Sequence, residues 1–294
     1  YCDGRGKSYE INSFDSNQSY TVKRVATDKM QIIWDGENFK IRSQLSFVGG
    51  RLGMDFKAEP KSSNYMVTEV TFPRWKFGQL GGKCDTLVYP HMSGILVNDP
   101  TKDFAQGNVY PSSRVNMQFS GYFDSQENGI YFAMEDPLAH VKEYSVTGRN
   151  GLLSVLWRHP IATEKGGGGN SAEISGEAVI ELYRGNWFEA GALYKKFLGG
   201  KAKWWISEIP RISTPKWYRD QTLWLLVSAG HQSADELLKL TEYFELPVGA
   251  HWSHWFGFED SQSPRYTVSQ SNLDAMRRLQ AVNIPVKAYV NDRL

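Results

Sequence analysis

The 294-residue chain is 41% hydrophobic and 22% charged, which excludes a disordered segment, a collagen and a coiled coil and leaves room for one large or two medium domains. Lys plus Arg number 33 against 32 for Asp plus Glu, with no run of either sign, so no nucleic-acid partner is expected. The 10 Trp are more indole than core filling needs, because each buried N–H requires a partner, and they point to something bound against flat faces.

The N-terminus, Tyr1-Cys2-Asp3-Gly4, has neither an initiator Met nor an apolar signal segment, as expected of a processed chain or one cut from something longer. No apolar run is long enough for a membrane span. Cys2 and Cys84 allow a single bridge, and either redox state fits. The triplet Asn17-Gln18-Ser19 is a glycosylation pattern that leans weakly toward a secreted or extracellular setting.

Over residues 8–183, short runs of Val, Ile, Phe, Tyr and Thr are broken every 8 to 12 residues or so by Gly, Pro, Asn or Asp, the pattern of antiparallel strands. Residues 30–34, 39–42, 67–72, 117–123 and 129–134 are the clearest, with Asp35-Gly36 as a hairpin turn. A large β-sandwich follows. Gly166-Gly167-Gly168-Gly169-Asn170 lacks the Lys-Ser/Thr ending of a phosphate loop and reads as a flexible loop. The carboxylate pairs Glu135-Asp136 and Glu259-Asp260 read as solvated turns.

At Asn186 the period changes. Asn186 offers a cap with Glu189 three residues on, and Trp187, Ala190, Tyr194 and Phe197 recur at helical spacing up to Gly199-Gly200. Trp204, Trp205, Pro210, Pro215 and Trp217 then form an aromatic connector whose indoles are expected to pack against both neighbours. From residue 221 the chain alternates strand and helix. Residues 222–227, 248–252 and 286–290 read as strands, with amphipathic helices carrying Leu237 and Leu238 (capped at Ser233) and Leu273, Met276 and Leu279 between them. The expected organisation is a sandwich over 1–185, a helix and connector over 186–219, and a βαβαβ unit over 220–294.

Three parallel strands leave open edges and an uncovered face. The reading that follows is an antiparallel β-supersandwich and then the first three βα units of a TIM-type barrel, incomplete in this chain. Its missing strands come from the rest of a longer polypeptide, from a partner chain, or from segments of the sandwich closing an open sheet. In a parallel barrel the ligand lies at the C-terminal strand ends. Those ends carry His231, Trp252, His254, Trp255, Asn291, Asp292 and Arg293, with Asp292 the best-placed single carboxylate. Aromatic faces, a planar Arg and carboxylates suit a sugar, so carbohydrate is the expected partner. His251 and His254, three apart on an extended strand, point to opposite faces, and no third ligand follows, so neither metal nor cofactor is expected.

The ordered segments Phe72-Pro73, Leu87-Val88-Tyr89-Pro90 with Gly94, Tyr110-Pro111-Ser112, Met117-Gln118-Phe119, Gly129-Ile130-Tyr131 with Asp136, Gly185-Asn186-Trp187-Phe188-Glu189-Ala190 with Tyr194, and Tyr289-Val290-Asn291-Asp292-Arg293-Leu294 resemble a group of glycoside-hydrolase-like proteins. That group has a galactose-mutarotase-like supersandwich followed by a (β/α)8 barrel and is similar to endo-α-N-acetylgalactosaminidases. The resemblance implies a catalytic carboxylate pair on later barrel strands, beyond residue 294, so no catalytic residue is assigned within this chain. A non-catalytic carbohydrate-binding or assembly protein on the same fold is the alternative.

Overall fold

The structure, a computed structural model, describes residues 1–3, 6–13, 19–81, 84–162, 169–205, 214–258 and 264–289. The chain forms two compact units, Tyr1–Ser207 and Glu208–Leu294.

The first unit is mostly antiparallel sheet. Its larger sheet runs in the order Ile95–Asn98, Asp85–Tyr89, Phe119–Asp124, Asn128–Glu135, Glu177–Arg184, Arg51–Met54, Phe39–Val48, Lys29–Asp35 and Tyr20–Ala26, with Lys57–Pro60 and Ala172–Glu173 branching from Phe39–Val48. A four-stranded sheet, Asp103–Tyr110, Lys142–Arg149, Leu152–Pro160 and Glu69–Gly78, packs on it. The strands expected from alternation are all present, and the turn at Gly36 is closed by its N–H to the Phe39 carbonyl.

The alternation within Asn128–Glu135 fixes both layers. Phe132 and Met134 face the four-stranded sheet, where Tyr144, Val146, Leu153, Val155 and Trp157 complete a fully buried core. Tyr144 and Trp157 stack at 4.0 Å and 15°, and Tyr89 stacks on Tyr144 at 5.3 Å, each such pair adding about 1 kcal/mol beyond its buried area. Tyr131 and Ala133 point the other way, onto the helix Trp187–Gly200, which presents Ala190, Tyr194 and Phe197. Gly121 permits this approach, because a Cβ there would lie 2.7 Å from that of Ala190. The helix opens on the expected capping box: Asn186 accepts from the Phe188 N–H at 3.0 Å, and Glu189 accepts from the Asn186 N–H at 2.8 Å.

Several expectations are corrected here. Trp187 is 53% exposed, because it sits at the first helical position, off the stripe that meets the sheet. Trp204, Trp205 and Trp217 of the connector are 38%, 40% and 54% exposed. Cys2 and Cys84 are free thiols, so the possible bridge is not formed. Glu135 and Asp136 are not solvated but 3% and 1% exposed. Glu135 accepts from the Tyr131 hydroxyl at 3.1 Å and pairs with Arg51. Asp136 keeps its turn geometry, accepting from the backbone of Leu138 and His140, but its carboxylate also takes the Lys142 ammonium at 2.9 Å. Lys142 is fully buried, donates to Gln118 at 2.9 Å and lies over the Tyr110 ring. Burial pulls the Lys142 ammonium below its ordinary value. On Asp136 burial acts upward, but the Lys142 charge and the hydrogen bonds outweigh it and hold the carboxyl below the usual range.

The second unit contains the parallel sheet Leu223–Ser228, Val248–Ser253 and Val286–Ala288, in chain order, with the helices His231–Phe244 and Gln270–Ala281. The first helix begins two residues before the expected cap at Ser233, because Gly230, at φ 135°, turns the chain directly into it. A hairpin, Phe256–Phe258 with Pro264–Val268, stands between the second strand and the second helix where the sequence suggested only loop. No helix among the described residues is long and apolar enough to cross a membrane.

Candidate functional site

The two faces of the parallel sheet differ. Leu225, Val227, Ala250, Trp252 and Val286 meet Ala234, Leu237, Ala275 and Leu279 of the helices, and Val248 is buried. By alternation Trp224, Leu226, Ser228, Gly249, His251, Ser253, Lys287 and Tyr289 share the opposite face. Contacts there agree: Lys287 Nζ lies 4.9 Å above the Trp224 ring, and the His251 and Tyr289 rings are 5.9 Å apart. Gly249 makes room for Trp224, whose ring would lie 2.7 Å from a Cβ. This face is only partly covered among the described residues: the Tyr218 ring lies 5.2 Å from that of Trp224, while Leu226 is 71% exposed.

At the C-terminal strand ends the backbone is tightly joined. The Ala229 N–H donates to the Ser253 carbonyl at 2.8 Å, and the Ser253 hydroxyl to the Val227 carbonyl at 3.2 Å. The Tyr289 N–H reaches the Trp252 carbonyl at 2.8 Å. His254 then turns left-handed at φ 54°, with Nδ1 3.2 Å from the Ser253 hydroxyl. The Trp255 indole donates to the Tyr289 carbonyl at 2.6 Å, and Asn272, in the first turn of the second helix, donates to the Trp255 carbonyl at 3.1 Å.

The residues singled out from the sequence are thus distributed unevenly. His254 and Trp255 meet at the strand ends beside Ser253 and Tyr289. Trp252 does not join them. It is 2% exposed on the helix side of the sheet, with its ring among core residues, because its parity on the strand matches Val248 and Ala250. His231 faces the helix layer, its Nδ1 3.3 Å from Arg278, which also holds Asp235 at 2.5 Å. Asn291, Asp292 and Arg293 lie outside the described residues, as do Glu259 and Asp260. Ser253 and Tyr289 were missed, although strand parity places both on the face opposite the helices. Among the described residues no cluster of three His, Cys, Asp or Glu side chains is placed to hold a metal ion.

A sandwich with a following parallel unit whose strand ends carry aromatic and polar groups invites comparison with known enzymes. The chain is similar to glycoside hydrolases. It is 22% identical over 228 residues to a protein of Monosiga brevicollis named "Putative glycoside hydrolase 22789", an alignment covering 65% of this chain and 19% of that one. Its fold matches the α-N-acetylgalactosaminidase NagBb of Bifidobacterium bifidum in complex with GalNAc, with TM-score 0.64 at 9% identity, over 94% of this chain and 51% of the enzyme. A quadruple mutant of that enzyme matches with TM-score 0.63 at 10% identity. This chain therefore spans about half the length of the solved enzyme and a fifth of the curated relative. A family model described as "Domain of unknown function (DUF6259)" matches residues 172–294.

Proposed function

We propose that this chain belongs to a glycoside hydrolase, with residues 1–185 as its supersandwich, 186–219 as a connector and 220–294 as the first three βα units of a (β/α)8 barrel. The observation that carries the reading is the parallel sheet itself. Its strands lie in chain order, its outer strands each have one neighbour among the described residues, and one face is covered by helices while the other leaves Leu226 71% exposed. Further strands would close that face into a barrel interior. The sugar would then lie across the strand ends, with Ser253, His254 and Tyr289 beside it, and Asn291, Asp292 and Arg293, which follow in sequence, are proposed as further binding residues. Hydroxyl-rich ligands suit such a mixture of hydroxyl, imidazole and phenol groups.

Hydrolysis requires one carboxyl group to protonate the leaving oxygen and a second to attack the anomeric carbon or activate water. Under this reading that pair stands on barrel strands that follow residue 294, and residues 220–294 supply binding and orientation. The name of the Bifidobacterium enzyme makes α-linked N-acetylgalactosamine the first substrate to try.

The test is a panel of p-nitrophenyl glycosides, α-N-acetylgalactosaminide first, offered to the full-length protein alongside a glycan array. Release of p-nitrophenol supports the proposal. Glycan binding without hydrolysis assigns the protein to the carbohydrate-binding alternative, and neither binding nor hydrolysis overturns both readings.

A further inference from the structure

A parallel ladder alternates its bonds from one strand to the next at regular intervals. Here the Ala250 N–H donates to the Pro285 carbonyl, and the Tyr289 N–H donates to the Trp252 carbonyl. The next rung in this series would run from the His254 N–H to the Tyr289 carbonyl. His254 has already left the extended conformation, at φ 54°, and the donor that reaches the Tyr289 carbonyl is the Trp255 indole at 2.6 Å.

The main chain of Trp255 is itself anchored. Asn272 donates from its side chain to the Trp255 carbonyl at 3.1 Å, and the Asn272 N–H is held at 3.1 Å by Ser269, the cap of the helix Gln270–Ala281. On the face opposite the helices the Tyr289 ring lies 5.9 Å from that of His251. The last described residue of the third strand is thereby fixed at its N–H, its carbonyl and its ring.

We propose that Trp255 is a positioning residue rather than a stacking surface for the sugar: its indole replaces a missing ladder rung and holds Tyr289 at the end of the third strand. A Trp used this way has its ring plane dictated by a protein carbonyl, and its N–H is not available to a ligand. A role for Tyr289 and Trp255 beside a substrate rests on the functional reading above; the substituted rung does not.

Two measurements separate these layers. In the 294-residue chain with 15N-labelled tryptophan, the Trp255 indole proton, assigned by its loss in Trp255→Phe, is expected to exchange with solvent at least about 10-fold more slowly than those of the exposed Trp187 and Trp217. Exchange at the same rate overturns the proposal, whatever the protein's activity. If the full-length protein hydrolyses p-nitrophenyl α-N-acetylgalactosaminide, Trp255→Phe, which keeps an aromatic face and loses the donor, is expected to lower kcat about 10-fold or more with KM changed less than about 2-fold. Kinetics left intact by Phe would show Trp255 to be a stacking surface, and a raised KM at unchanged kcat would show that its N–H serves the ligand; either overturns the proposal. Asn272→Leu, which removes the anchor but leaves Trp255 in place, is expected to shift kcat in the same direction by a smaller factor; no shift in kcat counts against the chain of contacts.

Discussion

The two units solve the same problem of covering sheet faces in opposite ways. In the unit Tyr1–Ser207 the central strand Asn128–Glu135 is covered on both sides, by the four-stranded sheet and by the helix Trp187–Gly200, and its buried charges are matched internally, Glu135 with Arg51 and Asp136 with Lys142. In the unit Glu208–Leu294 the sheet has helices on one side, and the other side leaves Leu226 in solvent. The buried ion pairs named here thus stand in the first unit, while under the proposed function the second holds the surface on which further strands or a ligand are placed. The difference also separates two uses of aromatic residues: Trp157 and Tyr144 are fully buried core, whereas Trp255 packs at the margin of the second unit's core and is fastened by its indole N–H at a strand end.

The largest effect that could break this contrast lies at Lys142. Lys142→Met strands the Asp136 carboxylate in the core and is expected to cost the sandwich about 3–5 kcal/mol, read from the denaturant midpoint, with part regained when Asp136→Asn is added. A loss below about 1 kcal/mol would mean that the buried charges are not matched as described.

The next test is pH. Burial drives the His159 ring down to about 4 from an ordinary 6.5, and its Nε2 donates to the Phe72 carbonyl at 2.7 Å, so the folded ring is neutral. Between those values the unfolded chain takes up a proton that the folded chain refuses. The contribution is therefore fully present above pH 6.5 and is lost as pH falls toward 4, by about 3 kcal/mol at the lower end. Urea midpoints at pH 7.5 and 4.5 should converge in His159→Gln relative to the parent chain; an unchanged gap would remove His159 from the account.

The smallest effect sharpens the comparison from the other side. Leu226→Ala in this chain is expected to shift stability by less than about 0.5 kcal/mol, because the side chain is 71% exposed. A loss of 2 kcal/mol or more, the range for a buried leucine, would show that the face is covered after all.

Much of this was legible in the residues. The two-residue alternation of 128–135, the Asn186 and Glu189 cap and the strand–helix alternation after residue 221 depend on local rules, and all three appear in the structure. The failures were of two kinds. Arg51 and Glu135 meet across 84 residues, and no local pattern announces such a pair. Parity, by contrast, was available and unused. Glu135 continues the series Tyr131 and Ala133, Lys142 precedes Tyr144 and Val146 on the same face, and Trp252 follows Val248 and Ala250. Each of these residues is buried because its neighbours two positions away are. Of the candidate site, His254 and Trp255 were legible as strand-end residues, while the bond that gives Trp255 its orientation needed the third strand, 34 residues on.

The hairpin between the second parallel strand and the second helix has a consequence for how such a scaffold diversifies. Its two strands pair with each other, and both parallel strands and helices keep their own register without it. A segment of this kind can lengthen, shorten or change composition at small cost, since the entropy of closing a loop grows only slowly with its length. It also departs from the end of the sheet where a substrate would lie. Under the proposed function, changes within Phe256–Phe258 and Pro264–Val268 would alter which molecules are admitted while leaving the register of the parallel strands unchanged.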